Sequence, residues 1–173
     1  MTDLLAECSS LLQREALCLD TQRWDDWLAL YTEDCEFWVP AWKGEHQTTQ
    51  NPKSELSLIY YAGRAGLADR VWRVRDGRSV TSAVLPRTHH AITNVALAPE
   101  GDTGGDSPLA AGAVAVDSYW TVHQFLVKES EVEVFFGRYR HVLVRREGEL
   151  FIQSKLTILL NDYLPGKIDF YSL

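Results

Sequence analysis

Glu15 is the first group in this sequence whose type and position could do chemistry. Leu4, Leu5, Cys8, Leu11, Leu12, Ala16 and Leu19 recur at helical spacing and predict an amphipathic helix from Asp3 to Leu19, with Glu15 near the middle of its apolar arc. A carboxylate in that position must find a partner or stay protonated. Two readings follow. In one, Glu15 makes a structural ion pair or accepts a hydrogen bond from a nearby indole or backbone group. In the other it is an acid facing a cavity, with Tyr31 and His90 lining the same space.

The remaining candidate groups make no recognisable reaction centre. His89 and His90 are adjacent in a predicted strand, Thr88 to Leu97, so their rings point to opposite faces and cannot share a metal without distortion. His123 and His141 fall on neighbouring predicted strands, within reach of each other, on what reads as the more exposed parity. No cysteine has a histidine two or three residues later, as a Rieske cluster requires. Cys-x-x-Cys, His-Glu-x-x-His, Gly-x-Ser-x-Gly and a Gly-rich phosphate loop are all absent from the sequence. The expectation is a chain with no catalytic, cofactor-binding or metal-ligating residues of its own.

Composition narrows the class. A chain of 173 residues reads as one domain spanning 1–173, long enough to bury roughly two-thirds of its unfolded surface without staples. A net charge of -7 argues against nucleic acid as a partner. No apolar run is long enough to span a bilayer, and the N-terminus, with Asp3 and Glu7, does not read as a signal peptide. Cys8, Cys18 and Cys35 are odd in number and lie in apolar patterns, which predicts free buried thiols in a reducing cytoplasm.

The elements that must position these residues are legible in outline. A second helix is predicted from Trp24, Trp27, Leu28 and Tyr31, with Asp25 and Asp26 as first-turn carboxylates. Short strands follow at Cys35 to Val39 and Leu56 to Tyr61, and a third helix at Arg64 to Arg75 carries Leu67, Val71 and Val74 on one face. Val80 to Arg87 is irregular, and 99–111, with three glycines and two prolines, is a hairpin loop. Ala111 to Tyr163 reads as three long strands forming a curved antiparallel meander, with the two N-terminal helices covering its concave face. In the first strand, Val114, Val116, Trp120, Val122 and Leu126 are assigned inward. In the second, Val132, Val134, Phe136, Val142 and Val144 are assigned inward, with a bulge at Gly137. In the third, Leu150, Ile152, Leu156, Ile158 and Leu160 are assigned inward, leaving Lys155 and Thr157 on the wetter face. Trp24, Trp27 and Phe136 are the side chains expected to plug the interior.

From Arg64 to Arg87 there are six arginines against two aspartates, a local positive excess in an acidic chain. This run reads either as a solvated helix face or, with Trp72 beside it, as a protein interface. Arg70, Trp72 and Arg73 are the interface candidates here. Phe170 and Tyr171 join them from a tail, Leu164 to Leu173, that contains a Pro-Gly turn and docks on this chain or on a neighbour.

Pieces spread along nearly the whole length carry a family resemblance. They are Arg14-Glu15-Ala16 with Leu19-Asp20, Arg23 to Tyr31, Trp38-Val39-Pro40, Glu55 to Tyr61, Gly66 to Val71, Arg87-Thr88-His89-His90 with Asn94-Val95, and Ile168-Asp169-Phe170-Tyr171. In this order the chain resembles the small (beta) subunit of bacterial aromatic-ring-hydroxylating dioxygenases, with Leu56 to Tyr61 and the arginine helix most similar to benzoate, anthranilate and halobenzoate oxygenases. The resemblance implies an α+β cone of the nuclear-transport-factor-2-like (NTF2-like, cystatin-like) class. It implies that the Rieske 2Fe-2S cluster and mononuclear iron belong to a partner large (alpha) subunit. Small subunits would form a trimer within a three-plus-three hexamer, with ferredoxin or reductase components as electron donors. The same fold class includes cofactor-free dehydratases and isomerases. That is the competing reading, in which Glu15, Tyr31 and His90 would line an acid-base pocket. A third, weaker reading is a non-catalytic binding module for an aromatic acid.

Overall fold

A computed structural model describes residues 3–76, 84–99, 102, 109–161, 163–164, 166 and 168–173. Arg78, the first part of the irregular stretch, most of the glycine-rich loop and Pro165 of the tail turn lie outside the described residues.

Helix α1 runs from Leu4 to Asp20 and starts where the Asp3 carboxylate accepts from Leu5 N. Helix α2 is short, Trp24 to Ala29, with Asp25 and Asp26 in its first turn. Strand β1 spans Tyr31–Pro40, β2 spans Ser57–Ala62, and helix α3 lies between β2 and the third strand at Arg64–Arg75. Strands β3 (Arg87–Leu97), β4 (Val114–Leu126), β5 (Glu131–Arg146) and β6 (Glu149–Leu159) complete a six-stranded sheet in the order β2-β1-β6-β5-β4-β3. All neighbours are antiparallel except β1 and β6, which run parallel. Tyr31, expected on the second helix, opens β1 instead, because α2 ends at Ala29.

The sheet curls around α1, which lies against β3 and β6, while α3 packs on β1 and β2. The core joins the α1 arc (Cys8, Leu11, Leu12, Cys18, Leu19), Trp24 and Trp27 of α2, and the α3 face of Leu67, Val71 and Val74. All three cysteines are buried and free.

The parity of β4 is as expected: Val116, Ser118, Trp120, Val122 and Gln124 face inward. The parity of β5 is the reverse of the expectation. Phe135, Gly137, Tyr139, His141 and Leu143 face inward, and Val132, Val134 and Phe136 stand on the outer surface. Phe136 therefore plugs nothing. The ladder runs unbroken through Gly137, which pairs with Trp120 and Leu159, so no bulge sits there. Glycine is needed for another reason: a Cβ at this position would lie 1.9 Å from the Ile158 carbonyl oxygen. The bulge is on β6. Val142 pairs with Ser154 and Leu143 with Ile152, leaving Gln153 as the extra residue. One extra residue inverts the alternation, so β6 buries Leu150 and Ile152 before the bulge and Lys155, Thr157 and Leu159 after it. Leu156, Ile158 and Leu160 consequently face outward.

Candidate functional site

Inside the cone the bulge brings Lys155 to Glu15. The ammonium of Lys155 donates to Glu15 Oε1 at 2.9 Å, and both side chains are almost wholly buried. The same oxygen accepts from Tyr31 Oη at 2.5 Å and from Trp27 Nε1 at 3.3 Å. His141 Nε2 stands 3.5 Å from Oε2, too poorly aligned for a hydrogen bond. Burial pushes the Glu15 carboxyl upward, but the Lys155 charge, His141 and the Tyr31 hydroxyl outweigh it and hold Glu15 well below the usual carboxylate range. Burial pulls the His141 imidazole below its ordinary value, against the pull of Glu15 in the other direction. Burial and the neighbouring carboxylate push the Tyr31 phenol well up. This is an ionised carboxylate locked by a cation and two neutral donors, which fixes α1, α2, β1 and β6 to one another. A proton-transfer acid would need the opposite displacement of the Glu15 pKa.

The three residues of the cavity reading do not all meet. Glu15 and Tyr31 are bonded, but His90 turns to the end of α1. Its Nδ1 lies 2.5 Å from Asp20 Oδ1, and its backbone N–H donates to Asp20 Oδ2. His141, assigned to the wetter parity in the sequence, is completely buried, because the reversed face of β5 carries it. His123 does lie outward, and its ring neighbour is His89 at 6.2 Å rather than His141. Lys155 and His141 are the members of the interior network that periodicity missed. Ser154, where the alternation of β6 falters, was the one available signal. Six other buried side-chain atoms have no hydrogen-bond partner among the described residues: Ser118 Oγ, Trp120 Nε1, Tyr139 Oη, Thr157 Oγ1, Thr32 Oγ1 and His90 Nε2. Ser118, Tyr139 and Thr157 form a row of direct cross-strand neighbours on the inner face. No group of three or more His, Cys, Asp or Glu side chains among the described residues could hold a metal ion.

The tail closes this interior. Phe170 stacks on Trp27 with ring centroids 4.8 Å apart and meets Trp24 edge-on at 5.3 Å. Lys155 also donates to the Leu173 carbonyl oxygen at 3.4 Å. Phe170 and Tyr171 are buried in this chain's own core, so of the two placements the sequence left open the tail takes the one on its own chain, and the pair is not available on the surface of the single chain as an interface. Asp169 anchors the tail to α3 by accepting from both Nε and Nη2 of Arg70. Arg70 is thus spent inside the chain. Trp72, at 60% exposure, and Arg73, which has no ion pair among the described residues, remain on the outer ridge of α3. On the other arginines of this helix, Arg64 reaches the Tyr31 carbonyl and Glu33, and Arg75 reaches Asp25.

A family model described as the ring hydroxylating beta subunit matches residues 14–166. The chain belongs to that family. It is 38% identical over 171 residues to the benzoate 1,2-dioxygenase subunit beta of Acinetobacter baylyi, covering 98% of this chain and 94% of that one. It is 35% identical to the anthranilate 1,2-dioxygenase small subunit of the same organism, over 94% of this chain and 93% of the other. The crystal structure of the benzoate 1,2-dioxygenase beta subunit of Burkholderia mallei superposes with a TM-score of 0.75 at 32% identity, covering 100% of this chain and 99% of that one. The ring-hydroxylating beta-subunit family and the NTF2-like α+β cone expected from the resemblance both hold.

Proposed function

We propose that this chain is the non-catalytic small subunit of the terminal oxygenase of a multicomponent Rieske non-haem iron dioxygenase, acting in the cytoplasm on an aromatic carboxylate. The observation that carries this reading is the similarity along nearly the entire chain to small subunits whose names specify benzoate and anthranilate. Ring dihydroxylation requires electrons delivered to iron and activation of O₂, chemistry that needs a cluster and an iron with open positions. Both centres belong to the large subunit, and ferredoxin or reductase components supply the electrons. This chain, as one domain over residues 1–173, trimerises and holds three large subunits in a three-plus-three hexamer. The outer ridge of α3, Trp72 with Arg73, is the contact we assign to a neighbouring chain; an exposed Trp–Arg pair has the composition of an interface hot spot.

The dehydratase-like reading is less well supported. Glu15, Tyr31 and Lys155 satisfy one another, His90 is engaged by Asp20, and the tail fills the space between the helices and the sheet. Co-expression with the large subunit should give a heteromeric complex with NADH-dependent oxygenation of an aromatic acid when reductase components are added. Omitting this chain should remove most of that activity through failed assembly. A large subunit equally active alone, turnover by this chain alone, or one iron tightly held per isolated chain would overturn the reading.

A further inference from the structure

Buried polar atoms without a partner are few in a folded protein, and a gathering of them calls for an explanation. Here they gather on one surface. Ser118 Oγ and Trp120 Nε1 on β4, Tyr139 Oη and His141 Nδ1 on β5, Thr157 Oγ1 on β6 and His90 Nε2 on β3 are buried and make no hydrogen bond among the described residues. They stand on the inner face of four adjacent strands, where α1 lies against β3 and β6. Tyr139 is at their centre. Ser118 and Thr157 are its direct cross-strand neighbours on either side. Trp120 stacks on its ring with centroids 5.2 Å apart, and His141 meets it edge-on at 5.3 Å. His90, opposite Val122, lies diagonally across β3 and β4 from Trp120. The three hydroxyls do not bond to one another, because the strand spacing sets Ser118 and Thr157 roughly 10 Å apart with Tyr139 between them.

The chemistry of the set defines what it takes. The indole of Trp120 only donates. Burial, with the charges of Glu15 and Asp20, pushes the Tyr139 phenol well up, so it too is a donor. Ser118 and Thr157 donate and accept. Nδ1 of His90 faces Asp20, which leaves Nε2 for another partner. The set contains no carboxylate and no cation, and the charges beside it, Glu15 and Lys155, are already paired with each other. A bound ion would therefore be an uncompensated buried charge. A neutral molecule that both donates and accepts fits. Ser118 and Thr157 are short, so the inner face is low on both sides of the Tyr139 ring, where a molecule the size of water meets several polar partners at once. We infer that α1 docks on this polar face through a file of ordered water, held by Ser118, Tyr139 and Thr157 and extending toward Trp120, His90 and His141. The inference concerns the interior of the single chain and stands apart from the subunit reading.

The test uses the full chain, with melting followed by circular dichroism and long-lived water counted by water-oxygen magnetic relaxation dispersion. Deleting one hydroxyl without changing shape has opposite signs in the two cases. A buried hydroxyl with no partner costs stability, so its deletion raises the melting temperature; a hydroxyl bonded to held water strands that water and its other partners, so its deletion lowers it. Thr157→Val and Tyr139→Phe should each lower the melting temperature by roughly 2–8 °C. The double variant should lose less than the sum, because both deletions break one file. The dispersion amplitude should fall in each variant. If Tyr139→Phe does not fold, Ser118→Ala beside Thr157→Val makes the same comparison. Melting temperatures that rise or stay unchanged overturn the inference, and so does a dispersion amplitude equal to wild type in the folded variants. Saturable stabilisation of wild type by glycerol that Thr157→Val abolishes would assign the site to a hydroxylated solute and overturn it as well. Each of these outcomes leaves the subunit reading intact, since that reading is decided by co-expression.

Discussion

Oε1 of Glu15 accepts from three donors at once, and one of them is a buried ammonium. Removing one member of such a set leaves a charge and two donors stranded where water does not reach. Glu15→Ala should therefore destabilise the fold by about 3–5 kcal/mol, and Glu15→Gln by less, because the amide oxygen still accepts from Tyr31. Coincident denaturant curves for Ala and wild type would show that the network contributes nothing. The pH dependence has a definite sign. The folded Glu15 carboxyl lies below its ordinary value of 4.5, so its contribution is complete above that value and is lost as pH falls below it. The folded His141 imidazole lies below 6.5, so burying it neutral likewise costs nothing above 6.5 and progressively more below. Wild type should lose thermal stability from about pH 6.5 downward, more steeply under pH 4.5. His141→Leu should flatten the first segment, and the gap between Glu15→Gln and wild type should narrow through the second. Parallel profiles for all three proteins, followed by calorimetry, would contradict the assignment.

At the scale of elements, Gly137 shows how a packing need differs from a conformational one. Its ladder is regular, and the Ile158 carbonyl occupies the space a side chain would take. Gly137→Ala should push β5 and β6 apart locally and cost about 1–3 kcal/mol or more, read as a fall in melting temperature with faster amide exchange at Leu159 and Leu160. The helices and most strand positions were legible because one face of each is apolar and the other is not: α1, α3 and β4 all carry single-valued patterns. β5 and β6 were misread for a physical reason. The outer parity of β5 holds Val132, Val134 and Phe136, while its inner parity holds Gly137, Tyr139 and His141, so hydrophobicity favours the wrong face. The carboxylate nearest to His141, that of Glu15 at 3.5 Å, comes from α1, far away in the sequence and in no local pattern. On β6 the alternation of Leu156, Ile158 and Leu160 is real, but the extra residue at Gln153 turns that parity outward. A bulge is visible only in the pairing of two strands, and no single-strand period contains it.

The whole molecule has two kinds of basic surface, and they should behave differently when altered. Arg70 is internal in effect: with Asp169 it fastens the tail to α3, and the tail in turn carries Phe170 into the Trp24–Trp27 cluster. Arg70→Ala should therefore lower the stability of the isolated chain, with Asp169→Ala giving a similar loss and the double variant little more than either alone. Trp72 and Arg73 stand exposed two and three residues farther along the same helix, and Arg73 has no ion pair among the described residues. Trp72→Ala with Arg73→Glu should leave the melting temperature of the isolated chain within a degree or two, yet weaken the heteromeric complex with the large subunit by tenfold or more. An exposed Trp–Arg pair removed from water at a contact is worth more than its neighbours, and its loss acts mainly on dissociation. Oxygenation should fall in proportion to the complex lost and recover at higher subunit concentration, because the chemistry of the partner's centres is untouched. A double variant that assembles normally would make this ridge a solvated face, whereas one that assembles normally but oxygenates poorly would mean the ridge acts on the partner's chemistry and not on assembly.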